Sequence, residues 1–110
     1  MGLLTKQGPP AWHPAPAGMQ AACASAALHC SAKGVDISEL AIQVAVRHEA
    51  IASTLVGMCT RAQVRANVSC AIAAFDEGAL DGAQQVLLEL QALFGEWGDA
   101  TWPSGLADNN

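Results

Sequence analysis

The chain of 110 residues contains no tyrosine at all, so no phenolic hydroxyl is available as an acid or base. Lysine and arginine number only five, scattered as Lys6, Lys33, Arg47, Arg61 and Arg65, against ten Asp and Glu. That spacing builds no phosphate-tracking stripe, and a net charge of −5 argues against a nucleic-acid partner. The acidic balance serves mainly to keep the protein soluble. The four cysteines, Cys23, Cys30, Cys59 and Cys70, form no CxxC pair. Buried free thiols are therefore expected in place of a disulfide or zinc framework, which suits a reducing cytosol. No stretch approaches the roughly 18 apolar residues of a membrane span. The opening MGLLTKQGPP has too short an apolar run for a signal peptide, so a cytoplasmic protein is expected.

What is present is a folding composition, 52% hydrophobic and 14% charged, with room for one domain at most. Much of the apolar content is alanine, which buries little area per residue. The segment 6–18, KQGPPAWHPAPAG, is Pro-rich and predicts a loop. Met19 to Lys33 predicts a helix stopped by Gly34 at the C′ position. Asp36 with Glu39 has capping-box spacing and launches a second helix, with Leu40, Val44 and Arg47 or His48 at helical steps. Thr60 with Gln63 launches a third, running to about Ala74, whose buried stripe is expected at Val64, Val68 and Ile72. A third box, Asp81 with Gln84, predicts a helix from Gly82 to Phe94 with Val86, Leu87, Leu90 and Phe94 on its apolar face. The tail 95–110 has no period and predicts irregular structure.

One stretch carries more than this. The β-branched run Ile51–Val56 predicts a strand that stops at Gly57, just before the Thr60 cap. A strand that breaks at glycine and feeds a capped helix offers free N–H groups and the positive end of a helix dipole, an anion cradle. Many such junctions are plain structural turns. A single strand, with at most a remnant at Gly2–Thr5, cannot form a sheet by itself. The inventory looks like a piece of something larger.

GLLTKQGPPAWHPAP at the start, LVGMCTRAQVRAN in the middle and TWPSG near the end occur in this order and spacing. By these motifs, from Met1 to about Gly105, the sequence resembles the C-terminal part of the aldo-keto reductases, in particular the plant-type L-galactose dehydrogenases. The resemblance implies an α/β fold class: the C-terminal fragment of a (β/α)8 barrel, its last one or two strands plus helices, mostly helical as it stands. Gly2–Thr5 would follow barrel strand seven and Ser53–Gly57 would be strand eight. The loops after those strands commonly hold a phosphate. The junction would then bind the adenosine end of a nicotinamide cofactor.

Position by position, the resemblance implies cofactor contacts at Gly57, Met58 and Cys59, at Gln63 and Asn67, and at Gly2 and Leu3. Gln63 falls where NADP-binding relatives place an arginine. A neutral amide cannot supply that charge-assisted fork, so NAD is expected, with NADP the alternative through Arg61 and Arg65. Asn67 would face the adenine edge; Ala66 replaces a neighbouring carboxylate.

The family's catalytic tyrosine, lysine, aspartate and histidine lie upstream of the matched region, and no catalytic residue is assignable here. The resemblance implies a sugar as substrate, L-galactose oxidised to its lactone on the way to ascorbate, and a chain inactive alone. The rival reading is a truncated helical module that binds a nucleotide or a partner. Among the other polar groups, His13 reads as a loop residue, and His29 and His48 as helix-surface or helix-end residues. Asp76 and Glu77 read as a solvated connector, and no pair of the histidines lies at ligand spacing with a cysteine or carboxylate, so no metal site is expected. Trp102-Pro103-Ser104 would lie over a substrate pocket in an intact barrel and is expected to be mobile without one.

Overall fold

A computed structural model describes residues 1–103 of the chain. Its order is a turn-rich segment, then α1 (Ala17–Ala32), α2 (Ile37–Arg47), an extended stretch, α3 (Arg61–Ala73) and α4 (Gln84–Leu93). Single 3-10 turns occupy Asp81–Ala83 and Gly95–Trp97. No strand is present among the described residues. The expected strand at Ile51–Val56 is thus corrected to an unpaired extended segment. The Gly2–Thr5 remnant is a turn, closed by the Thr5 hydroxyl donating to the Gly2 carbonyl at 2.8 Å. Neither segment meets a second strand within these residues, so no ladder can form.

The helices start and stop where local chemistry directs them. α1 begins after Pro16, two residues earlier than expected, and its buried Met19, Cys23, Ala26, Ala27 and Cys30 make one stripe. Gly34 ends it at φ 72°, a left-handed conformation that glycine adopts without a Cβ penalty. Asp36 caps α2 by accepting from the N–H groups of Ser38 at 2.9 Å and Glu39 at 3.3 Å. Partial burial pushes the Asp36 carboxyl up, but those two N–H donors and the Lys6 ammonium at 3.3 Å together hold it below its ordinary value.

α3 carries the full capping box. Thr60 Oγ1 accepts from Gln63 N–H, and the Gln63 side chain returns to the Thr60 N–H. The third box does not form. Asp81 opens a 3-10 turn, and α4 starts at Gln84 with Ala83 at its N-cap and no side-chain bond.

The main core joins α1, α2 and α4 through Ala26, Ala27, Cys30, Ile37, Leu40, Val86 and Leu90. Three of these are small, so the buried area is modest. Glu89 on α4 fastens that packing from outside. Gln85 donates to it, and His29 and Lys33 reach it from α1. Those partners, Gln85 first and then His29, hold the Glu89 carboxyl below its ordinary value. His29 is therefore a cross-helix partner as well as a residue near a helix end.

A second cluster forms on Ala15, Met19 and Cys23, covered by Leu3, Phe94, Trp97, Ala100 and Trp102. Trp102, half-buried, packs there, whereas Ser104 and the rest of 104–110 lie outside the described residues. His13, expected as a plain loop residue, is buried. Its Nδ1 accepts from the Ala15 N–H at 3.1 Å, and its ring lies against Trp12 and Trp102.

α3 is the exception to the packing. It rests on α2 through Cys70, whose thiol donates to the Glu39 carbonyl, and through an Arg47 guanidinium bond to the Ala74 carbonyl. The stripe expected to be buried, Val64, Val68 and Ile72, faces out.

Candidate functional site

The Gly2–Gln7 turn is pinned to the start of α2. Ser38 Oγ donates to the Leu4 carbonyl at 3.0 Å, and Lys6 pairs with Asp36. Gly2 sits at φ 85°, and a Cβ there would come within 2.9 Å of the Gly8 carbonyl oxygen. Only glycine satisfies both conditions. Opposite this turn runs the extended segment that leads into α3.

Between them lies a groove of about 550 Å³. Its walls include Gly2, Leu3, Gly57, Gln63 and Asn67, five of the seven positions singled out as cofactor contacts. Ser38, Ala41 and Ala45 of α2 form the floor. Met58 and Cys59 are exposed and stand outside the lining. Cys59 is also the one thiol of the four that is not buried. Burial pushes the thiols of Cys23, Cys30 and Cys70 up, which keeps them protonated and unreactive.

The chemistry of the groove is polar and uncharged. No lysine or arginine belongs to its lining among the described residues. Gln63 is engaged twice at the mouth of α3: its Oε1 accepts from Cys59 N–H at 2.7 Å and from Thr60 N–H at 3.2 Å. Two of the donors that an anion would use at this helix terminus are thereby occupied. Nothing demands glycine at position 57, where a Cβ would meet no atom within 4 Å.

The volume is that of a small-molecule site, and amide side chains at Gln63 and Asn67 suit hydroxyl and ring-nitrogen partners. The residues present therefore fit a ribose and adenine better than a doubly charged phosphate. No group of three His, Cys, Asp or Glu that could hold a metal ion occurs among the described residues.

Over 109 residues, 99% of its length, the chain is 41% identical to L-galactose dehydrogenase from Arabidopsis thaliana. The chain is homologous to one third of that enzyme. The matched region is 33% of the Arabidopsis protein, consistent with its C-terminal portion. No protein-family model matches the chain. The chain spans about one third of the length of this relative. No helix of the described residues is long and apolar enough to cross a membrane.

The signals for the groove were unequal. Gly2, Gly57 and the Thr60–Gln63 box stood in the sequence; the part played by Ser38, Ala41 and Ala45 did not, because α2 packs there only in three dimensions. His13 with Trp12 and Trp102 was also missed as a cluster. Its members stand 89 or more residues apart in part, and proline spacing around His13 reads only as loop.

Proposed function

We propose that the chain supplies the adenosine side of the nicotinamide-dinucleotide pocket in an aldo-keto reductase of the L-galactose dehydrogenase type. The observation that carries this reading is the convergence of Gly2, Leu3, Gly57, Gln63 and Asn67 on one uncharged groove, in a chain 41% identical to that enzyme. A bound nicotinamide would supply the hydride-acceptor chemistry for oxidising L-galactose to its lactone. The residues of this chain bind and orient its remote end: Gln63 and Asn67 offer amides to ribose and adenine, and Gly2 and Leu3 close the opposite wall.

The uncharged lining favours NAD over NADP, because a 2′-phosphate would find no guanidinium fork. Alone, the chain is inactive, since it holds no tyrosine and no assignable catalytic group. Three buried free thiols suit the reducing cytoplasm as its location.

The test is a chimera in which these 110 residues replace the matched third of the Arabidopsis enzyme. It should reduce NAD with L-galactose, faster than NADP, while the isolated chain does neither. Equal or better turnover with NADP would overturn the cofactor preference, and turnover by the isolated chain would overturn its inactivity. The rival, a self-standing helical module, draws on the α1–α2–α4 core. It requires a cooperative thermal transition in the isolated chain and nucleotide binding without a partner.

A further inference from the structure

α3 is held from its C-terminal end. Residues 61–66 are all exposed, Asn67 is half-buried, and Cys70 and, just past the helix, Ala74 are buried. At 3.6 residues per turn Gln63, Asn67, Cys70 and Ala74 share one face. That face has two tasks in succession. Its first half presents Gln63 and Asn67 to the groove, and its second half is fastened to α2.

The two fastenings differ in kind. The Cys70 thiol, a weak donor, gives its bond to the Glu39 carbonyl at 3.2 Å. Arg47, in the last turn of α2, donates from Nη1 to the Ala74 carbonyl. Ala74 is the C-cap of α3, where the helix supplies no further N–H, and it is wholly buried. An acceptor left unpaired there would be costly. Among the described residues the Arg47 guanidinium is the donor it finds. The bond is charge-assisted, and it brings a cation to the negative end of the helix dipole. Arg47 itself stands outside the lining of the groove.

Two pins on one rod make a lever. Along the helix axis Gln63 lies about 10 Å from Cys70, and Ala74 about 6 Å beyond it on the other side. With Cys70 as the fulcrum, a shift of about 1 Å at the Ala74 end moves Gln63 by about 1.7 Å the other way. A hydrogen bond of ordinary length does not survive that displacement. α2 also forms the floor of the groove, through Ser38, Ala41 and Ala45. The angle between α2 and α3 therefore sets how far Gln63 and Asn67 stand from that floor.

We infer that Arg47 is a positioning residue for the groove. By pinning the C-terminal end of α3 to α2 it fixes the distance of Gln63 and Asn67 from the groove floor, acting through the Ala74 carbonyl and touching no ligand. The consequence for cofactor binding rests on the nucleotide reading of the groove; the lever does not.

Two measurements test it. In the 110-residue chain, nitroxide labels are placed on Cys59, the one thiol that is not buried, and on Ser25→Cys, at an exposed position of α1. Pulsed electron paramagnetic resonance then reads where α3 begins. Arg47→Met keeps the aliphatic stem and removes the donors; it should shift the mean distance by about 1–2 Å. Arg47→Lys, which can still donate, should reverse most of that shift. In the chimera that carries these residues, Arg47→Met should raise KM for NAD about two- to tenfold, the worth of one hydrogen bond, with kcat unchanged. Arg47→Lys should recover most of the KM. Should Arg47→Met not fold, Arg47→Gln, shorter and uncharged, takes its place in both readings. An unmoved distance overturns the inference, as does a shift that Arg47→Lys leaves untouched. A fall in kcat at constant KM also overturns it, since that marks a general loss of structure. A moved α3 with an unchanged KM for NAD keeps the lever and removes the cofactor assignment of the groove.

Discussion

Gln63→Glu separates the two tasks of one side chain. A glutamate at this position keeps the acceptor that Cys59 and Thr60 use at 2.7 and 3.2 Å, and glutamate is the usual partner in a capping box. Its charge also sits near the positive end of the α3 dipole, which is worth about 0.3–1 kcal/mol. The helix should therefore be as stable as before or slightly more so. The groove should respond in the opposite sense. A volume of 550 Å³ implies a width of about 8 Å, and two unit charges at that separation repel by about 0.5–2 kcal/mol for an effective dielectric between 80 and 20. Each cofactor phosphate charge brought to about that distance from position 63, at the edge of the groove, then costs about two- to thirtyfold in affinity. Thermal melting followed at 222 nm reads the helix, and NAD affinity of the chimera by calorimetry reads the groove. Unchanged NAD affinity with an intact helix would refute the placement of Gln63 on a nucleotide wall. Loss of the helix would refute the capping assignment.

Two further substitutions probe the scaffold. Asp36→Ala removes the cap of α2 and should lower stability by about 1 kcal/mol. Because the folded Asp36 pKa lies below the unfolded value of about 3.9, the unfolded state binds more protons as pH falls through that interval. The contribution is complete above about pH 4 and is lost as pH drops through the folded pKa, so Tm of the wild type and the variant should converge below pH 4. Parallel curves would exclude Asp36 as the source. Gly18→Ala should gain up to about 1 kcal/mol from helix propensity alone, yet its Cβ would lie 2.5 Å from the Trp97 ring. We expect a lower Tm and red-shifted tryptophan emission as Trp97 is displaced from the Met19–Cys23 cluster; a raised Tm would show that the ring does not pack there.

What could be read from the sequence was local. Asp36 before α2, Thr60 with Gln63 before α3 and Gly34 after α1 each act within four residues, and all three lie where their spacing put them. Asp81 has the same spacing to Gln84, but its N–H is taken by the Gly78 carbonyl and its carboxylate lies close beside Gly78, so the chain makes a 3-10 turn first. Periodicity located the Val64–Val68–Ile72 face correctly as a face; it contains no information on whether that face points inward. β-propensity at Ile51–Val56 describes a fit to a neighbouring strand, and none is available among the described residues. Burial of His13 depends on Trp102, at the other end of the chain. In the groove, the lining by Gly2, Leu3, Gly57, Gln63 and Asn67 followed positions drawn from resemblance, whereas the engagement of Gln63 Oε1 by two N–H groups could be seen only in three dimensions.

The groove draws one wall from two consecutive elements, the extended segment through Thr54, Leu55, Val56 and Gly57 and the start of α3 through Gln63 and Asn67. Gln63 and Asn67 face the groove from the helix whose other side carries Val64, Val68 and Ile72. Gly57 lines the groove from the segment 52–58, whose backbone makes no hydrogen bond among the described residues. A ligand seated in the groove must hold that segment without help from a backbone ladder, at roughly 1–2 kcal/mol for each residue it fixes. A groove with one wall free of backbone hydrogen bonds among the described residues is the physical reason to expect weak nucleotide affinity in the isolated chain.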